Sequence, residues 1–248
     1  MFLNLLQASY EGQNHLLANL TTSEAFLMVI IVGVVGMIVQ WRLRSVVSKY
    51  SKEPMPGGFT GAEIAQKMLR ENGVTDVSVV HTGGYLTDHF NPLTKTVNLS
   101  DEVYYGRSIT AAAIACHECG HAVQHAMGYA PLKLRSALVP LVQFSSQAAS
   151  WLVIIGLIMT ASSGSQMMCW MGVGLMCISA LFSIITLPVE YNASDRAIAW
   201  LQSSGMMQGA ELDNAREALS WAARTYLVAA LSAIATLLYY VSIIMRRK

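Results

Sequence analysis

The residues best suited to chemistry lie together in Ile109 to Met127, which contains His117-Glu118-Cys119-Gly120-His121. Ser108 before this stretch and Gly128 after it predict a helix that starts and stops there. Helical geometry puts residues i and i+4 on one face, so His117 and His121 are able to offer imidazole nitrogens to one ion. Such a pair supplies two of the three protein ligands of a catalytic zinc and leaves a position for water. Glu118 lies one helical step from His117, where a carboxylate is placed to take a proton from that water. Five residues can match this pattern by chance. Here they interrupt an Ala-rich apolar run, in which two histidines and a glutamate are costly to bury without a partner. The stretch therefore reads as a metal site.

Two histidines do not complete one, and His125, four residues further on, competes for the third place. Along a straight helix His117 and His125 stand roughly 12 Å apart, whereas a zinc–nitrogen bond spans only ~2.1 Å. Ala122, Val123 and Gln124 offer no glycine at which the chain could bend between them. His125 is thus expected at the surface or behind a ligand. Cys116 and Cys119 flank the motif and read as small core fillers. They are not a haem attachment pair, because Gly120 stands where a histidine is required.

The composition says what must position the site. Of 248 residues, 54% are hydrophobic and only 12% charged, which is membrane-protein composition. Net charge is +1, so nothing points to nucleic acid. The four cysteines have no disulfide-framework spacing. Residues 1–24 form an N-terminal extension whose first 22 residues are apolar without Lys or Arg, unlike a secretory signal; they read either as an interfacial helix or as disordered. Residues 25–48 are a first transmembrane helix, whose uncharged run Ala25 to Trp41 is followed at once by Arg42, Arg44, Lys49 and Lys52, the mark of a cytoplasmic end.

Residues 49–137 read as a small cytoplasmic α+β unit with the metal helix over 108–127. Thr60-Gly-Ala-Glu63 is a capping box that opens an amphipathic helix closed by Asn72-Gly73. Val77 to His81 alternates like a strand, and Tyr85 to His89 and Lys95 to Leu99 read as a hairpin across Asn91-Pro92-Leu93-Thr94. Residues 138–187 form a transmembrane hairpin. Its first half carries Gln143, Ser145, Ser146, Gln147 and Ser150, polar groups expected to face protein or a wet cavity. Gly172 and Gly174 allow close helix contact in the second. Residues 188–225 hold two further helices, and 226–248 a fourth apolar helix with a basic tail. Four complete spans would leave that tail outside, so either the tail departs from the positive-inside rule or the fourth run stops short. The expected architecture is a mainly α-helical integral membrane protein with about four transmembrane helices and a zincin-like unit.

The transmembrane hairpin returns the chain at Leu187-Pro188-Val189-Glu190 to the face that carries the metal helix. Glu190 is either the third ligand or a carboxylate favoured near a helix start, and spacing does not decide between them. Here Leu86-Thr-Asp-His-Phe-Asn-Pro92, Leu99-Ser100 with Val103-Tyr104, His117-Glu-Cys-Gly-His-Ala-Val-Gln124 and Pro188-Val-Glu-Tyr-Asn-Ala-Ser-Asp-Arg-Ala197 resemble the YugP-type neutral zinc metallopeptidases of bacterial membranes. The resemblance covers about Thr60 to Ala197. It implies a membrane-embedded, Zn2+-dependent peptidase of the gluzincin kind, with His117, His121 and Glu190 as metal ligands and Glu118 as catalytic base. A more distant similarity is to HtpX-type and CAAX prenyl peptidases, whose Glu-x-x-x-Asp motif finds Ser194 at the Asp position here, with Asp195 one residue later.

The expected partners are protein or peptide substrates at or in the bilayer of the cell membrane, cleaved on its cytoplasmic side, as in membrane protein quality control. Lys95 to Leu99 could be a sheet edge that receives substrate, or an ordinary paired strand. Asp88 and His89 read equally as ligand support and as a polar hairpin tip. Tyr191, Arg196 and Tyr226 are candidates for the donor that steadies the reacting carbonyl oxygen. The rival class is a non-catalytic, zinc-containing membrane adaptor. A transport reading lacks paired intramembrane charges.

Overall fold

The structure is a computed structural model and describes residues 21–163 and 166–246. Nearly all of the apolar N-terminal stretch lies outside the described residues. In chain order the described helices are α1 (Thr22–Tyr50), α2 (Gly61–Glu71), α3 (Asp101–Tyr104), α4 (Ile109–Ala126), α5 (Ala130–Ser163), α6 (Met167–Ser203) and α7 (Gly209–Arg246). Strands β1 (Ser78–His81), β2 (His89–Asn91) and β3 (Thr96–Leu99) fall between α2 and α3. Helices α1, α5, α6 and α7 are long and apolar enough to cross a membrane. The protein is a mainly α-helical membrane protein with a small α+β unit, as its composition and periodicity lead one to expect.

Two compact units share the chain. The first takes residues 21–36, 139–183 and 228–246. Its outward side chains are large and apolar, with Phe26, Ile30, Ile31 and Trp151 all exposed, as lipid-facing residues would be. Gly172 permits a close approach: a Cβ there would lie 2.6 Å from Val153 Cγ2. Gly174 does not serve this purpose, since a Cβ there would meet nothing within 4 Å. Ser145 is fully buried. Ser146 and Ser150 line a cavity of about 270 Å3 together with Ser179, Ser232 and Thr236. Gln143, Ser146, Gln147 and Ser150 are all exposed. Only part of the polar stripe thus turns inward.

The second unit takes residues 37–138 and 184–227. The Thr60–Glu63 capping box forms, with Glu63 N donating to Thr60 Oγ1 (3.2 Å) and Thr60 N to Glu63 Oε2 (2.8 Å). Helix α2 then buries Ile64, Ala65, Met68 and Leu69. They join Val97, Leu99, Ile109, Cys116, Cys119 and Val123 in one apolar core. The sheet order is β1-β3-β2, with β1 parallel and β2 antiparallel to β3. Strand β3 is therefore central. Residues 85–88 are not strand as expected, because Gly84 (φ 108°) and Leu86 (φ 54°) turn the chain there. Helices α6 and α7 run unbroken through Pro188 and through residues 224–226, where sequence alone suggested new elements.

Candidate metal centre

Helix α4 begins as expected, with the Ser108 hydroxyl accepting from Ala111 N at 3.2 Å. Its partner is α6, and Gly120 decides how near the two come. A Cβ on Gly120 would lie 2.6 Å from the Ala193 carbonyl oxygen, so only glycine permits this approach. One turn before Ala193, Glu190 then reaches α4. Its Oε2 lies 3.2 Å from His117 Nε2 and 3.5 Å from His121 Nε2. One ligand atom from each of the three residues falls within 4.8 Å of the other two. Tetrahedral bonds of ~2.0–2.1 Å place ligand atoms roughly 3.4 Å apart, so this spacing fits zinc.

The other ring nitrogens are also engaged. His117 Nδ1 lies 3.1 Å from Ser194 Oγ, and His121 Nδ1 lies 3.0 Å from Gln124 Oε1. Gln124 is fully buried, and its Nε2 donates to Val189 O (2.8 Å) and Asn192 Oδ1 (3.0 Å). Both neighbours are acceptors, which leaves Oε1 to accept a proton from His121 Nδ1. The Nε2 lone pair of His121 is thereby presented to an ion, the usual way of orienting a histidine ligand. Burial pushes the His121 pKa down, but the carboxylates of Glu190 and Glu118, with Gln124, outweigh it and the net direction is up. Ser194 stands at the Asp position of a Glu-x-x-x-Asp motif counted from Glu190. Asp195 is exposed and lines a separate cavity of about 370 Å3.

Glu118 is buried and points to the sheet, where its Oε2 accepts from Phe90 N at 3.0 Å. Strand β2 is an edge, so this amide is one that β3 does not use. Asp88 accepts from Ser100 N (2.7 Å) and from the Ser100 hydroxyl (3.0 Å), tying the start of β2 to the start of α3. Burial raises its pKa, the Ser100 donors oppose this, and the nearby Glu118 charge adds to the rise. His89 is exposed and bonded to Thr87 O. His125 is exposed, with its ring 5.7 Å from that of Phe90, outside the converging ligands. Cys116 and Cys119 are buried free thiols whose pKa burial raises, as core fillers require.

Of the three candidate donors, Arg196 is engaged by Asn192 Oδ1 and Met127 Sδ, and exposed Tyr191 lines the cavity that holds Asp195. The Tyr226 hydroxyl lies against the Glu190 carboxylate. Arg135, unmarked by any motif, sets Nη1 3.2 Å from Glu190 Oε1. Gln124 was within reach of sequence reasoning, since i and i+3 share a helix face. Arg135 was not, because its partner lies on another helix.

A family model described as "Putative neutral zinc metallopeptidase" matches residues 25–245. The chain belongs to this metallopeptidase family. The "Putative membrane protease YugP" of Bacillus subtilis (strain 168) is 42% identical to it over 204 residues, which cover 82% of this chain and 89% of that protein. No solved structure matches. The metallopeptidase is thus a membrane hydrolase of the YugP type with Zn2+ as its cofactor, and its three converging donors suit that ion.

Proposed function

We propose that His117, His121 and Glu190 hold the zinc, that Glu118 is the general base, and that the substrates are membrane or juxtamembrane proteins cleaved at the cytoplasmic membrane surface. The convergence of two Nε2 atoms and one carboxylate oxygen within hydrogen-bonding distance, with both Nδ1 atoms engaged behind them, carries this reading. Bound zinc polarises a peptide carbonyl and brings the pKa of its water towards ~7. Glu118 takes the water's proton and passes it to the leaving amine. Tyr226, beside Glu190, steadies the developing charge on the carbonyl oxygen. Substrate backbone lies along the outer edge of β2, where Phe90 N–H marks the path to Glu118. Lys95 to Leu99 is unavailable for this, because β3 is paired on both sides.

Two further observations support the choice of surface and substrate. The basic residues Arg42, Arg44, Lys49 and Lys52 all belong to the unit that carries the site, as a cytoplasmic location requires. Glu190 also lies on α6 just after its apolar segment, and α4, which carries His121, is followed directly by α5, another helix apolar enough to cross a membrane. Replacing Glu118 by Gln in protein extracted from membranes tests the reading against a non-catalytic adaptor. Zinc content should stay near one per chain while casein cleavage falls by ~100-fold or more. Undiminished cleavage would remove Glu118 from the mechanism, and no cleavage by the unaltered protein would favour the adaptor.

A further inference from the structure

Glu190 is 1% exposed, and its two oxygens face different partners. Oε2 faces the two histidines, while Oε1 takes the Arg135 guanidinium at 3.2 Å. Arg135 stands on the second turn of α5, within the same compact unit as the ligands. A buried carboxylate oxygen without a partner is costly. The Tyr226 hydroxyl also lies against this carboxylate, but if Arg135 were absent the metal itself would be the only cation left to draw Oε1. The carboxylate would then turn to bind through both oxygens and crowd the position that a catalytic zinc keeps open.

We propose that Arg135 is a positioning residue that confines Glu190 to one oxygen at the metal. This rests on the assignment of Glu190 as third ligand. The guanidinium suits the task because its charge is permanent and its N–H groups are fixed in a planar fork. A lysine would supply the charge without the geometry. The side chain is 28% exposed, so the pairing is held by orientation as well as by burial.

Cobalt(II) in place of zinc reports the arrangement directly, since four-coordinate cobalt absorbs visible light more intensely than five-coordinate cobalt. The detergent-purified full chain should be compared with Arg135→Gln and Arg135→Lys. The expected result is a weaker cobalt band in both variants and a 10- to 100-fold fall in zinc affinity for Arg135→Gln, measured by chelator competition. An unchanged band and affinity in Arg135→Gln would overturn the proposal. If that variant does not fold, Arg135→Lys decides: a weaker band supports the proposal and a wild-type band overturns it. Failure of the unaltered protein to bind one metal would instead overturn the ligand assignment beneath it.

Discussion

Gly120→Ala is the sharpest test of how the two ligand-bearing helices meet. The added methyl would sit 2.6 Å from the Ala193 carbonyl oxygen, against an ordinary contact of 3.4 Å or more. Helices α4 and α6 must therefore part by about 0.8 Å, the difference of those two distances. Zinc sites hold their bond lengths to within about 0.2 Å, so that movement exceeds what the centre tolerates. Overpacking of this kind costs about 1–3 kcal/mol, and alanine returns up to ~1 kcal/mol of helix propensity. A net loss of up to about 2 kcal/mol corresponds to a fall in zinc affinity of as much as roughly 30-fold. Chelator competition on purified protein reads this out, with Gly174→Ala as the control because its methyl would meet open space. Equal zinc affinity in the two variants would refute the argument that glycine sets the approach.

The remaining predictions concern the ligands and their support. Gln124→Leu keeps the volume but removes the acceptor at His121 Nδ1, so zinc affinity should fall by about 10- to 100-fold in equilibrium dialysis. Glu190→Ala should lose zinc on purification, while His125→Ala should retain it by elemental analysis. Acid should also strip the metal. The raised His121 pKa means that protons compete for this ligand from higher pH than for an ordinary histidine, so zinc retention in dialysis should decline as pH falls and recover as it rises.

Much of the site was legible because it is local. His117, Glu118 and His121 are set by helical periodicity alone, and the same rule that joins i to i+4 removes His125. The capping box at Thr60–Glu63 formed for the same reason. What escaped depends on contacts between distant segments. Glu190 stood evenly balanced on spacing, and family resemblance tipped it; the structure adds the reason, a glycine on α4 against an alanine on α6. Residues 85–88 have strand-forming composition, yet Leu86 at positive φ turns the chain to deliver Asp88 to Ser100. Of the two readings of Lys95–Leu99, the order β1-β3-β2 bears out the paired strand and leaves β2 as an open edge, because β1 pairs parallel with β3 and no hairpin rule predicts that.

The central claim is that one zinc is held by two imidazoles and one carboxylate. X-ray absorption at the zinc edge, measured on purified protein and on Glu190→Ala, tests it most directly. The account predicts about one zinc per chain with a first shell of nitrogen and oxygen at ~2.0–2.2 Å and no sulfur, and loss of that shell in the variant. A sulfur shell at ~2.3 Å, which only cysteine ligation would give, or an unaltered spectrum in Glu190→Ala, would contradict it.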